Sequence, residues 1–130
     1  MDSLEKIHRS VEEMEVKLLH VAFSYLEDKS ENVMSFETIL EWFFTWRIKL
    51  EDLENAFWCD GVFDLTVAHG GKNCLEFEGM AYVGPESNIE EIYKSKFTGS
   101  ITLNKKRKSI ENYDFSLHVN NRIFCIKSQT

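Results

Sequence analysis

Leu4, Ile7, Val11, Met14, Leu18, then Val21 or Ala22, and Tyr25 recur at alternating steps of three and four. That spacing lines one face of a helix. Asp2 or Ser3 is placed to cap its start, and Glu5, Glu12 and Glu13 lie toward the positive end of its dipole. Val16, Leu19 and Phe23 widen the apolar stripe, so this helix is expected to touch more than one neighbour. The polar run from Glu27 to Asn32 reads as a connection. Ser35 then stands as the expected N-cap of a second helix, with Phe36, Ile39, Leu40, Phe43 and Phe44 as its core stripe and Glu37 in its first turn. Trp42 and Trp46, four apart, share a further face with Leu50, and with Leu53 if the helix continues. A helix apolar nearly all round is ordinarily buried, which predicts a central helix between the first helix and whatever follows. The competing expectation leaves an aromatic edge facing a partner or a ligand.

After the charged corner Glu51-Asp52-Leu53-Glu54-Asn55 the period changes to two. Phe63, Leu65 and Val67 alternate with Asp64 and Thr66, as in a strand with one buried face. His69-Gly70-Gly71-Lys72 offers a glycine pair for a tight turn. In the return strand Leu75, Phe77, Ala81 and Val83 continue the core face, opposite Glu76, Glu78, Met80 and Tyr82, until Gly84-Pro85 stops it. Ile89, Ile92 and Tyr93 suggest a short helix or turn between Asn88 and Lys94. Three more strands follow. Phe97, Ile101 and Leu103 alternate with Thr98, Ser100 and Thr102; Tyr113, Phe115, Leu117 and Val119 alternate with Asp114, Ser116 and His118; and Arg122 to Lys127 closes the series. Asn104-Lys105-Lys106-Arg107-Lys108 joins the first two of these, and Asn120-Asn121 turns the last hairpin, since Asn tolerates the left-handed conformation.

Clean alternation belongs to antiparallel sheets with one packed and one wet face. Helices that precede the strands rather than alternate with them argue an α+β fold. The expectation is a single α+β domain over residues 1–130, with two N-terminal helices packed on one face of a curved antiparallel sheet of about five strands. A chain of 130 residues with 43% hydrophobic residues is long enough to bury a core of its own.

Charge changes this picture more than composition does. Residues 1–54 hold 13 acidic and 6 basic side chains, whereas residues 55–130 hold 9 of each, so the first part carries the whole net charge of −7. An acidic surface disfavours phosphate backbones, which argues against nucleic acid as a partner and permits a basic protein. The three cysteines, Cys59, Cys74 and Cys125, are an odd number without metal-site or disulfide spacing, and reduced thiols are expected. The N-terminus mixes both charge signs, and nowhere do about 18 apolar residues run together. The expectation is a cytoplasmic protein, with no membrane partner.

Candidate chemistry is sparse. His8, His20, His69 and His118 fall in no HExxH or HxH pattern, there is no G-x-S-x-G, and Gly70-Gly71 lacks the context of a phosphate loop. No metal, cofactor or catalytic residue is therefore assigned, and a non-enzymatic role is expected. The polar sheet face, with Glu76, Glu78, Asp114 and His118, has the residue types of an acid/base site but also those of any solvated strand face. Lys105 to Lys108 has the look of a solvated basic hairpin tip. The acidic corner, Glu51, Asp52, Glu54 and Asp60 around Trp58, is the first choice for a contact surface. Aromatic anchors ringed by carboxylates suit a basic partner.

Two functions from different classes follow. One is a protein-binding domain, such as a small acidic inhibitor or immunity-type protein that neutralises a basic toxin or nuclease. The other rests on the order of two helices, strands, a short helix and more strands, which resembles the cone-shaped NTF2-like domains. That resemblance implies a small apolar ligand or a pocket-based activity, in a cavity lined by Trp42, Trp46, Phe77 and Tyr113. With either, Met80 and Tyr82 on the open sheet face permit a homodimer.

Overall fold

The computed structural model describes residues 3–27 and 33–128. Two helices, α1 (Ser3–Leu26) and α2 (Val33–Glu51), precede five strands: β1 (Phe57–Gly71), β2 (Cys74–Pro85), β3 (Tyr93–Asn104), β4 (Ser109–Val119) and β5 (Arg122–Lys127). The strands form one antiparallel sheet in chain order, as consecutive hairpins require. The expected α+β layout is present. Asp2 and residues 28–32 of the polar connection lie outside the described residues. Ser35 is not a cap, because α2 begins two residues earlier and takes Ser35 into its first turn.

Helix α2 is the centre of the core. Its stripe of Phe36, Leu40, Phe43, Phe44 and Ile48 is fully buried, and α1 covers it with Ile7, Val11, Met14, Leu18, Val21 and Ala22. Aromatic rings pack edge to face across the layers: Phe44 lies 5.0 Å from Phe97 and 5.3 Å from Phe115, centroid to centroid. Such pairs are favoured by the ring quadrupole over flat stacking. The outer edge of α2 departs from the buried expectation. Trp42 is 52% exposed, and Lys49 Nζ lies 5.2 Å from the centre of the Trp46 ring.

Two glycines let the aromatic core close on the sheet. A Cβ on Gly99 would come within 2.2 Å of the Phe115 ring, and one on Gly79 within 2.9 Å of Phe97, each the cross-strand neighbour of its glycine. The rings lie over positions that carry no side chain. The sheet also curls strongly. Phe57 at one edge meets Phe124 at the other, with 5.6 Å between ring centroids.

Two sequence expectations are corrected in the strands. The alternation in β1 is interrupted twice, between Cys59 and Val62 and between Phe63 and Thr66, where β2 advances only two residues for every three in β1. Gly61, at φ 103°, and Asp64, at φ 52°, take up the left-handed backbone these bulges need. The second bulge reverses the parity expected for Phe63. Leu65 and Val67 face the core, but Phe63 lies outside, stacked 4.9 Å from Tyr82. Next, the β1–β2 hairpin turns on Lys72-Asn73, while Gly71 already pairs with Cys74. The glycine pair thus ends the strand and does not form the loop. Of the short helix or turn expected from Asn88 to Lys94, the turn is what forms before β3 starts at Tyr93: Asn88 Oδ1 accepts the Glu90 N–H and the Asn88 carbonyl accepts the Glu91 N–H. An Asn side chain that offers the backbone a local acceptor competes with helix formation.

Candidate functional site

The acidic corner is assembled by the β1–β2 register. Pairing of Phe57 with Pro85 brings the end of β2 beside the exit of α2, and the Glu86 N–H donates to the Ala56 carbonyl at 3.0 Å. The loop of residues 86–92 therefore joins residues 52–56 at one end of the molecule. Leu53 is 56% exposed and Ile89 70% exposed at this end, with the exposed carboxylates Glu54, Glu86, Glu90 and Glu91 on the same two segments. Sequence reasoning missed the contribution of Ile89, Glu90 and Glu91 because only the pairing of β1 with β2 brings them beside the corner. The signal lay in Gly84-Pro85, which fixes the strand end from which they emerge.

The five residues expected at this surface divide into two groups. Glu51 and Asp52 hold the fold together. Glu51 Oε1 pairs with Arg47 Nη2 at 3.2 Å, and Asp52 Oδ2 pairs with Arg122 Nη1 at 2.5 Å. Asp52 also caps its own turn, accepting from the Asn55 backbone N–H and from Asn55 Nδ2. These Asn55 hydrogen bonds, and then Arg122, pull its carboxyl down to about 2. Arg122 in turn lies over Phe124, 4.2 Å from the ring centre. The charge on Asp52 thus anchors the last hairpin to the end of α2 and is not offered to a partner. Trp58 is half-buried, and its buried indole N–H has no hydrogen-bond acceptor among the described residues. Glu54 and Asp60 are exposed, but Asp60 belongs to a different feature.

Asp60 lies on the free edge of β1, which α2 and α1 cover with polar side chains. Thr45 Oγ1 accepts the Cys59 N–H at 3.1 Å and donates to a carbonyl, with Glu41 O at 2.8 Å and Cys59 O at 3.2 Å. The Tyr25 hydroxyl donates to the Val67 carbonyl at 3.2 Å. Glu41 accepts from the Gly61 N–H, and its carboxyl is raised by burial and then by the Asp60 charge. This arrangement satisfies backbone groups that an edge strand would otherwise present to another chain.

The four residues expected around a ligand cavity do not meet. Phe77 is in the core, 5.1 Å from the Phe36 ring, and Tyr113 is 5.2 Å from Phe43. Trp42 faces solvent, and Trp46 is half-buried on the outer side of α2. The interior that an NTF2-like cone would leave open is filled here by Phe36, Phe43, Phe44 and Phe115.

The core does contain a polar chain that the sequence reading did not assign. Arg47 is 2% exposed. Its Nη1 donates to the Tyr113 hydroxyl at 2.9 Å, and that hydroxyl donates to Glu15 Oε2 at 2.6 Å. Arg47 thereby ties α1, α2 and β4 together through one guanidinium, although its Nε finds no acceptor among the described residues. The signal was present in the spacing. Leu40, Phe43 and Arg47 follow at steps of three and four on the core stripe, with Glu51 one turn further.

The outer face of the sheet separates into two parts. Rows Ala68-Glu76-Ser100-Asp114 and Thr66-Glu78-Thr98-Ser116 run across four strands and line a shallow depression of about 500 Å³. Lys96 Nζ pairs with Glu78 beside it at 3.4 Å. The other part carries Phe63, Tyr82 and Met80, with Lys94 5.7 Å from the Phe63 ring centre. Among the described residues no three His, Cys, Asp or Glu side chains converge as a metal site requires, and no helix is long and apolar enough to cross a membrane.

No protein-family model, no curated protein and no solved structure matches this chain.

Proposed function

We propose that this chain is a non-enzymatic binding domain for a basic protein, of the kind a small acidic inhibitor or immunity-type protein uses against a basic toxin or nuclease. The observation that carries the reading is the pairing of exposed Leu53 and Ile89 with Glu54, Glu86, Glu90 and Glu91 at one end of the sheet. Apolar side chains at the centre of a contact supply buried area, and carboxylates around them accelerate encounter with a cationic surface. Glu86 is already engaged with Lys49 at 2.6 Å. Glu54, Glu90 and Glu91 have no cation within ion-pair distance among the described residues. These three, rather than Glu51 and Asp52, are therefore the charges available to a partner.

The test is affinity capture from the native source with the wild-type chain and with E54K/E90K/E91K, followed by mass spectrometry. A basic protein retained by the wild type and lost from the triple variant supports the proposal. Capture of the same proteins by both chains overturns it. Because the three positions lie in turns and their carboxylates are exposed, circular dichroism of the variant should match the wild type.

A further inference from the structure

The second apolar stripe of α1 finds its second neighbour only in part: Leu19 and Phe23 pack against the core on the side of β3, and Val16 stays open. Val16 is 53% exposed, while Leu19 and Phe23 are half-buried along the same side of the helix. They floor two clefts that share Leu19 and lie between α1 and the β3–β4 hairpin, of about 360 and 390 Å³. From Glu12 to Phe23 the floor runs about 16 Å at the helical rise. Its two ends carry opposite charge. Glu12, Glu15 and Glu111 line one cleft, and His20, Lys105 and Lys108 line the other beside Glu27.

We propose that this face is the contact between two copies of the chain, with the two α1 helices packed antiparallel about a two-fold axis near Leu19. A two-fold contact must be complementary to itself. A face that is acidic at one end, apolar in the middle and basic at the other meets that condition, because rotation by half a turn sets each acidic end against a basic one. Val16 of each copy then enters the cleft of its mate. The alternative self-contact, through Phe63, Met80 and Tyr82 on the sheet, fails the same condition. Lys94 lies over the Phe63 ring of that patch and Lys96 beside it is already paired with Glu78, so the patch has no acidic end set apart from a basic one. The α1 face is also separate from the acidic end, so the two proposals stand or fall independently.

The experiment is sedimentation equilibrium on the full chain, with circular dichroism to verify folding. The wild type is expected to be a dimer. V16E should weaken association about 100-fold, since burying one valine is worth about tenfold and each substitution is met twice. K105E/K108E and E12K/E111K should each be monomeric alone and should form a mixed dimer when combined, because only the mixture restores both charged ends. A wild type that stays monomeric at its highest soluble concentration overturns the proposal and leaves the cleft to a zwitterionic ligand or a foreign partner. A dimer that survives V16E and both charge variants places the contact elsewhere. Failure of the two charge variants to associate on mixing refutes the antiparallel arrangement.

Discussion

Replacing Tyr113 with Phe and Arg47 with Met, singly and together, measures what the buried guanidinium contributes. Tyr113→Phe keeps the ring among Phe43 and Phe115 but removes the hydroxyl that accepts from Arg47 and donates to Glu15. Burial first, and then Glu15, pushes the Tyr113 phenol above its usual range, so it stays protonated and serves as that donor. The loss should be about 2–3 kcal/mol, the range for a hydrogen bond to a charged group whose partner stays buried. Arg47→Met should be less harmful. It retains most of the stem volume, removes the unpaired Nε, and leaves Glu51, 42% exposed, to be solvated by water. Exchanging a buried ion pair for apolar packing is often close to neutral, and a loss below about 1.5 kcal/mol is expected.

The decisive quantity is the coupling. In the Arg47→Met background, Tyr113→Phe forfeits only its bond to Glu15, about 1 kcal/mol, so the cycle should yield an interaction of about 1–2 kcal/mol. Urea unfolding of the four proteins, read from midpoints at constant slope, supplies the numbers. Equal effects of Tyr113→Phe in both backgrounds would refute the network. So would an Arg47→Met penalty above about 3 kcal/mol, which would mean that the charge itself is essential to the core.

Three further outcomes are expected. The Asp52 carboxyl lies below its ordinary value of 3.8, at about 2, so its contribution to stability is complete above 3.8 and is lost as pH falls toward 2. Asp52→Asn should remove that part of the acid-side decline in thermal midpoint; an unchanged acid profile would show that Asp52 does not anchor the last hairpin. In the folded protein iodoacetamide should label exposed Cys125 first and Cys59 last, because burial raises the Cys59 thiol and keeps it protonated. Early labelling of Cys59 in peptide mass maps would contradict that order. Gly99→Ala should destabilise by about 3 kcal/mol, since the new methyl meets both the Phe115 ring and the Asp114 carbonyl. A thermal midpoint indistinguishable from wild type would show that ring and strand shift easily.

The period of the chain revealed the order of elements because each period reports one face. The stripe of α1 from Ile7 to Ala22 and the alternation of β2, β3 and β4 are read directly into burial, whereas Leu4 at the start of the stripe is exposed. Where the backbone leaves its regular geometry, the pattern misled. Phe63 sits in phase with Leu65 in the sequence, yet the bulge at Asp64 turns it outward, and nothing in a two-residue period announces an inserted residue. Ile89 and Ile92 left a short helix or a turn open, and the local acceptor on Asn88 decides for turns. The acidic corner was half legible. Its position at the exit of α2 followed from charge, whereas the division into structural and available carboxylates depended on Arg47 and Arg122, partners that only the tertiary fold brings near.

Exposed apolar residues alone do not distinguish functional surfaces, since much of any folded surface is apolar. Their charged surroundings do. Around Leu53 and Ile89 the flanking charges are acidic, which opposes contact with a second copy and calls for a cationic partner. Around Phe63 and Tyr82 stand Lys94 and the ion pair of Lys96 with Glu78, with no separation of sign along the patch. Along α1 both signs occur, segregated to opposite ends of one apolar floor. The same rule thus assigns a different occupant to each surface, and it keeps the assignments compatible. A dimer closed through α1 leaves the loops of residues 52–56 and 86–92 uncovered, so it would present two acidic ends and could hold two basic partners at once.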